Sequence, residues 1–244
     1  MRLNHRRAGI TGIVYDGVDL TETFQVVEVR TPLLPTIEAV AHELPQRPGS
    51  YFAARKVGTR SVVLKLRLEA ASRNPLEVFQ AWREVSSLVA KDEPKRLYLG
   101  EDRWCMAMLV GETEMDTSAR YGTIECEFAC FDPYFYGAEH SASLSAGTAK
   151  AIDVVGAVPA LPTLALTASS TSVTVTNMTT GQYVLIPDLT SGAAVTVDMA
   201  RQVSTAAGQY APVDLLSDYF AVNDGDEVKV TGAYGTLSYT ERWI

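Results

Sequence analysis

The chain has 244 residues, enough for one large β-domain or for two domains of ordinary size. With 47% hydrophobic and 20% charged residues its composition is that of a globular protein, which excludes a disordered chain. The formal net charge of −8, with no dense basic cluster after Arg2, Arg6 and Arg7, argues against specific binding of nucleic acid.

The first half begins with a strand and then departs from any clear period. Residues 24–30 have the β-branched content of a strand. Residues 33–57 contain three prolines, the aromatic pair Tyr51 and Phe52, and no clean alternation. We therefore predict a β-hairpin or loop excursion around 33–57 that reaches away from the domain.

Three further segments of the first half also show strand patterns. They are residues 61–70, 103–111 and 121–130. In the last of these, Ile124, Cys126 and Phe128 share one face, while Glu125 and Glu127 share the other. The pattern predicts a strand with one buried and one solvated face.

One helix is predicted between these strands, over residues 73–94. Asn74 is a suitable N-cap, Pro75 fits the first helical position, and Pro94 is expected to end the helix. The apolar stripe consists of Leu76, Phe79, Trp82, Val85, Leu88 and Val89. Strands followed by an amphipathic helix predict an α+β N-terminal domain with one helix packed on a sheet.

The composition changes at residues 138–151, where small and polar residues replace the aromatic cluster 131–136. This change indicates a linker or a domain boundary, and we predict two domains, 1–140 and 141–244. The second half consists of short strand patterns at fairly even spacing, separated by turn signals such as Thr180-Gly181 and Ser191-Gly192. This spacing predicts a β-sandwich, so the chain as a whole is expected to be mainly β.

No catalytic, metal or cofactor motif is found in the sequence. His5, His42 and His140 are far apart and none has the spacing of a metal site. The carboxylate pair Asp224 and Asp226 lies in a predicted hairpin turn, where Asp has a backbone role. We therefore expect no enzyme, no metal and no cofactor.

Membrane and redox signals are also missing from the sequence. No segment reaches the roughly 18 apolar residues of a membrane helix, so no membrane insertion is expected. Cys126 and Cys130 are too far apart along one strand for a usual disulfide, and the total of three cysteines is odd. Free thiols and assembly in a reducing cytoplasm are predicted.

Late aromatic residues leave one binding function open. Tyr239 and Trp243 are candidates for saccharide or partner contact, because sugars stack on exposed rings, although packing in the core is the commoner role of such rings. The alternative function is therefore a saccharide-binding adhesion module that recognises a polymer on the host cell surface.

The order of several motifs resembles the distal tail protein family of siphophages. The resemblance rests on GSYFAARKVGTRSVVLKLRLEA with Gly58 and Arg60, on the predicted helix, and on GTIECEFACFDPYFYG. The last stretch contains Asp132, Pro133, Tyr134 and Gly137 at a strand end. The segment LLSDYFAVNDGDEVKV in the second half is also similar to the C-terminal domain of that family.

The resemblance implies a structural role in the virion rather than catalysis. Family members form a hexameric ring at the tail tip, and the C-terminal domain is a galectin-like or carbohydrate-module-like β-sandwich. The implied partners are further copies of the chain, the tail tube protein, a tail-associated lysin or tip protein and, in some phages, a receptor-binding protein. The implied location is the virion tail tip after assembly in the bacterial host cytoplasm. The six motif residues named above are then structural or interface positions.

Overall fold

The computed structural model describes residues 12–22, 24–44, 48–68, 83, 86–100, 102–113, 115–116 and 123–244. The chain divides into two compact units, which we call unit 1 (Met1–Phe135 with Ile244) and unit 2 (Tyr136–Trp243). The sequence-based domains, 1–140 and 141–244, place the boundary five residues later, and that assignment stays a prediction. Strands predominate in both units, which confirms the expected mainly β fold.

Unit 1 is built from an antiparallel sheet and a separate hairpin. Its strands are β1 (Ile13–Tyr15), β2 (Val18–Asp19), β3 (Phe24–Arg30), β4 (Ile37–Glu43), β5 (Ser50–Val57), β6 (Arg60–Leu68), β7 (Lys95–Leu99), β8 (Trp104–Val110), β9 (Met115–Asp116) and β10 (Thr123–Cys130). The sheet runs in the order β2-β1-β7-β8-β10-β6-β3, and β9 pairs with the start of β10. The strands β4 and β5 pair only with each other among the described residues.

The two faces of β10 are those predicted from its alternation. Phe128 is fully buried and its ring meets Tyr15 edge to face, with 5.1 Å between the ring centroids. On the opposite face, the Glu125 carboxylate lies 2.8 Å from the Arg30 guanidinium and 3.5 Å from the Lys65 ammonium. The apolar face forms the core of unit 1, and the charged face is solvated.

The predicted helix 73–94 lies mostly outside the described residues, including Asn74 and Pro75. Residues 83 and 86–89 are helical, and the Ala90 amide donates to the Ser86 carbonyl at 2.9 Å. Val89 is buried in the core of unit 1. The helix ends at residue 89 rather than continuing to Pro94. The residue before a proline disfavours the helical conformation, and β7 begins directly after Pro94.

Unit 2 is a sandwich of two antiparallel sheets. Its strands are β11 (Phe135–Leu144, which begins at the last residue before unit 2), β12 (Ala149–Ile152), β13 (Thr163–Ala168), β14 (Val173–Asn177), β15 (Tyr183–Ile186), β16 (Ala194–Asp198), β17 (Val203–Ala206), β18 (Gln209–Tyr210), β19 (Asp226–Thr231) and β20 (Ala233–Trp243). One sheet has the order β18-β17-β16-β13-β20-β11 and the other β12-β19-β14-β15. Their inward side chains share one apolar core, so the predicted β-sandwich is confirmed.

Residues 138–151 do not form a linker, since they belong largely to β11 and β12, and the alternative of a domain boundary there stays a prediction. The sequence pattern did not indicate these strands. Most of their side chains are small and at least partly exposed, so there is no apolar alternation to detect. By contrast, the predicted turns are present, with Gly181 and Gly192 at φ 79° and 86°, values that favour glycine. Within the described part of the chain, helical structure is too short and too polar to span a bilayer.

Candidate interaction surfaces

The Arg60 side chain joins three segments of unit 1. It is only 3% exposed, although arginine is rarely buried. Its Nε donates to the Pro133 carbonyl at 3.0 Å, and its Nη1 donates to the Pro32 carbonyl at 2.9 Å. The guanidinium also lies over the Phe135 ring, 4.6 Å from the centroid. Arg60 thus connects the segment before β4, the start of β6 and the corner after β10.

The remaining motif residues of unit 1 shape the segments that Arg60 connects. The Gly58 amide donates to the Thr36 carbonyl at 2.7 Å, which closes the base of the β4–β5 hairpin. Asp132 Oδ1 accepts from the Tyr134 amide at 3.3 Å, so the corner is an Asx turn. Pro133 is buried between β10 and β11 and has no N–H to continue a ladder. Their roles at a subunit interface stay predictions.

The β4–β5 hairpin is the most exposed regular element of unit 1. Every residue of β4 is exposed, as is nearly every residue of β5. The exposed apolar side chains include Ile37, Val40, Tyr51 and Phe52, and the last two are 64% and 60% exposed. The structure thus places a hairpin within the predicted excursion 33–57, with residues 45–47 outside the described part. Contiguous exposed apolar surface of this kind marks interaction sites.

A polar cluster in unit 2 surrounds Glu241. His140 Nε2 lies 2.7 Å from Glu241 Oε1, and Trp243 Nε1 donates to Glu241 Oε2 at 3.3 Å. The hydrogen bond with His140 lowers the pKa of the Glu241 carboxyl. The hydrogen bond from Trp243 lowers this pKa further, whereas burial raises it by a smaller amount than the total lowering. A Cβ at Gly137 would overlap the Glu241 carboxylate, so glycine leaves room for this cluster.

The structure argues against Tyr239 as a saccharide contact. Its side chain is 5% exposed and its ring stacks on His140 with 5.2 Å between the centroids. The Tyr239 hydroxyl donates to the Asp153 carbonyl at 2.7 Å and accepts from the Val155 amide at 3.1 Å. A sugar stacks on an exposed ring face, and Tyr239 offers none. Trp243 is partly buried and its indole N–H is already hydrogen-bonded to Glu241.

The candidate carboxylates of the sequence support the backbone of unit 2. Asp226 Oδ2 accepts from the Asn223 amide at 2.9 Å and from Asn177 Nδ2 at 3.1 Å, while Asp224 Oδ1 accepts from the Val154 amide. Among the residues that the structure describes, no group of three or more His, Cys, Asp or Glu side chains could hold a metal ion. These groups fix turns, and none of them converges with a nucleophile or base in a cleft.

The three cysteines are free and buried in unit 1. Cys105 and Cys130 have their sulfur atoms 3.5 Å apart, and Cys126 is fully buried as well. Burial raises the pKa of Cys126 to about 11, and the hydrogen bond with Cys130 together with burial raises the pKa of Cys105. Cys105 and Cys126 therefore stay protonated at neutral pH and act as small apolar side chains, whereas the hydrogen bond with Cys105 lowers the pKa of Cys130.

Residues 155–243 match a family described as the siphovirus-type tail component, C-terminal domain. The matched residues make up most of unit 2, which is therefore similar to the C-terminal domain of siphovirus-type tail components. The resemblance of the chain to siphophage distal tail proteins is thereby confirmed. No match was found among curated protein sequences.

Two solved structures illustrate the fold that this chain shares with other proteins. The Dit protein of phage SPP1, described as a paradigm of the hub adsorption apparatus in phages that infect Gram-positive bacteria, superposes with a TM-score of 0.83 at 17% identity. That likeness covers 95% of this chain and 98% of the SPP1 chain. A chain of the phage p2 baseplate, solved in its activated conformation with strontium, gives a TM-score of 0.50 at 10% identity over 91% and 92% of the two chains. At these identities the likeness shows the fold.

Replacing Tyr239 with phenylalanine should destabilise unit 2. The change removes the hydrogen bonds to the Asp153 carbonyl and the Val155 amide, which costs about 0.5–1.5 kcal/mol in the free energy of unfolding. Calorimetric unfolding would measure the loss, and hydrogen exchange at residues 153–155 would localise it. Tyr234→Phe, on the same strand with an exposed ring, is the matched control. Unchanged stability together with lost heat of binding to cell-wall polysaccharide would instead support a sugar contact.

Proposed function

We propose that this chain is the subunit of a ring-shaped hub at the distal end of a siphovirus-type tail. In this proposal six copies close into a ring that connects the tail tube to the tip or baseplate. The observation that carries it is the shared fold with the SPP1 Dit hub protein over nearly the full length of both chains, together with the similarity of unit 2 to the tail component domain.

A closed ring needs two different surfaces on each subunit, one for each neighbour. The β4–β5 hairpin supports the presence of one such surface. An isolated two-stranded hairpin is only marginally stable in water, and this one carries exposed Tyr51 and Phe52. Packing against a second copy, or adding an edge strand to its sheet, would stabilise the hairpin and remove its apolar side chains from water.

The chemistry of the chain fits a structural role. The carboxylates Asp224, Asp226 and Glu241 are engaged in hydrogen bonds within unit 2. The excess of 29 acidic over 21 basic residues is suited to a channel through which DNA slides, because like charge repels the phosphates. The proposed partners are the tail tube protein on one side of the ring and a tail-associated lysin or tip protein on the other. We propose that the ring assembles in the host cytoplasm and acts at the virion tail tip.

The hairpin provides the test of ring formation. Wild-type protein at micromolar concentration should have the mass of six subunits in light scattering and appear as rings in electron micrographs. Phe52→Glu places a charge in the proposed contact, so the mass should fall about sixfold, as burying an unpaired charge disfavours association. Circular dichroism would check that the fold is retained.

Tyr210→Glu is the matched control for this experiment. Tyr210 is another exposed aromatic residue, but it lies on β18 of unit 2, so its substitution should leave the oligomer mass unchanged. A wild-type protein that stays monomeric at micromolar concentration would contradict the ring. Equal masses for wild type and Phe52→Glu would contradict the role of the hairpin.

A further inference from the structure

The guanidinium of Arg60 is a buried charge that has no counter-ion among the described residues. Within the part of the chain that the structure describes, its two hydrogen bonds go to backbone carbonyls, and Nη2 has no hydrogen-bond partner. None of the ion pairs among the described residues involves Arg60. Burial lowers the pKa of Arg60, which reflects the cost of removing its charge from water. A buried arginine in proteins is normally paired with an anion, so this environment is incomplete.

Arg60 lines a cavity of about 310 Å³ in unit 1. The apolar walls include Leu33, Leu99, Phe135 and Ile244, and Arg103 contributes a second guanidinium. The side chains that line the cavity include no Asp or Glu, although the chain as a whole is acidic. The volume lies at the lower end of small-ligand pockets, which suits one short side chain rather than a nucleotide or a sugar chain.

We propose that this cavity binds a carboxylate group, supplied in the assembled tail by an Asp or Glu side chain of a second copy of the chain. A carboxylate matches the planar donors of arginine and forms short, charge-assisted hydrogen bonds with them. Such a ligand would provide the partner that Nη2 lacks. The apolar walls would exclude water and strengthen the ion pair.

The position of the cavity favours a second copy as the source of the carboxylate. Pro32 and Leu33 lie in the segment that leads into β4, and Gly58 and Arg60 follow β5, so the cavity is at the base of the exposed hairpin. Leu33 is 88% exposed and continues the apolar surface of that hairpin. This part of the inference rests on the proposed ring, whereas binding of a carboxylate to the cavity does not.

Free glutarate is the probe for the cavity. Titration of the full-length protein with glutarate should raise the unfolding temperature, with half-saturation in roughly the millimolar range expected for one small anion. Glutaramide, which has the same shape without charge, should have no effect, and sodium chloride controls for ionic strength. Equal shifts with glutarate, glutaramide and salt would overturn the carboxylate site.

The cavity is tested by substitutions at Leu33 rather than at Arg60. Leu33 is exposed, whereas a substitution of the buried Arg60 could prevent folding. Leu33→Glu places a carboxylate at the cavity from the same chain, which should raise the half-saturating glutarate concentration about fivefold or more through its local concentration. Leu33→Gln is the uncharged control, and Leu215→Glu adds the same charge at an exposed leucine of unit 2. If all three variants bind glutarate equally, the cavity is not the binding site and the proposal fails.

The source of the carboxylate is tested by the oligomer mass. Glutarate at saturating concentration should dissociate the wild-type oligomer, and sodium chloride at equal ionic strength should do so at least tenfold less effectively. Glutarate that binds without changing the mass would overturn the second copy as the source. Tighter glutarate binding after deletion of Ile244 would show that the Ile244 residue itself fills the cavity, which also overturns the second copy as the source. A monomeric wild type that still binds glutarate at the cavity would refute the ring and the second copy together, but not the carboxylate site.

Discussion

Replacing Phe128 with alanine is expected to lower the free energy of unfolding of unit 1 by about 3–5 kcal/mol. Phe128 is fully buried at the middle of β10, which pairs with β6 on one side and with β8 on the other. The change removes the ring that meets Tyr15 and leaves a cavity in the core that the surrounding sheet cannot easily close.

Thiol labelling in urea measures this loss in unit 1 alone. All three cysteines of the chain are buried in unit 1, and Cys126 and Cys130 flank Phe128 on the same face of β10. Their reaction with a thiol reagent therefore reports opening of this core. Phe131→Ala is the matched control, because Phe131 is 58% exposed and its loss should change stability by only about 0.5 kcal/mol. Similar labelling rates for the two variants would contradict the assignment of Phe128 to the core.

Replacing Gly235 with alanine is expected to destabilise unit 2 by about 3 kcal/mol or more, at the upper end of the cost of overpacking. A Cβ at this position would overlap the Ala165 carbonyl oxygen and lie 2.8 Å from the Leu166 Cα. Both are backbone atoms of β13, so they cannot move aside like the end of a flexible side chain. The clash falls where Gly235 pairs with Leu166, within the ladder between β13 and β20.

The matched control for Gly235 is Gly181→Ala. Gly181 has φ 79° with no other atom near the added Cβ, so its substitution should cost only the conformational strain of about 1–2 kcal/mol. Thermal unfolding would give the size of each effect, and hydrogen exchange in β13 and β20 would localise it. An equal loss at the two positions would show that the close approach of β13 does not determine the requirement for glycine at 235.

Strands with one solvent-exposed and one buried face could be predicted from the sequence. The alternation in β3, β6, β8 and β10 located these strands to within about two residues at either end, because a half-buried strand imposes a period of two on its side chains. The glycine turns of unit 2 were also predictable, since a positive φ restricts the residue type.

Strands without a buried face left no such signal. The hairpin strands β4 and β5 are exposed on both faces, and β11 carries mainly small residues with little burial. Their formation depends on backbone pairing, which any residue except proline can provide. The alternation of hydrophobicity therefore fails at 138–151, where the sequence indicated a linker or a domain boundary rather than β11 and β12.

The contacts within the candidate sites could not be predicted from local sequence patterns, because they join residues that are far apart in the sequence. Arg60 meets Pro133 across 73 positions of sequence, and His140 meets Glu241 across 101. Likewise, the burial of Tyr239 results from its contact with Asp153 and Val155, in a segment distant along the chain. A motif indicated that Arg60 and Pro133 matter, but only the fold shows that one contacts the other.

The exposed hairpin also makes the isolated chain vulnerable to aggregation. The outer edges of β4 and β5 present unpaired N–H and C=O groups that can template pairing with any other free strand. Two features oppose this: an irregularity in the ladder at Val40 and Ala41, and charged residues at Glu38, Arg55 and Lys56. A bulge and charges are common protections of open strand edges. Newly synthesised chains can therefore accumulate with less risk of forming fibrous deposits.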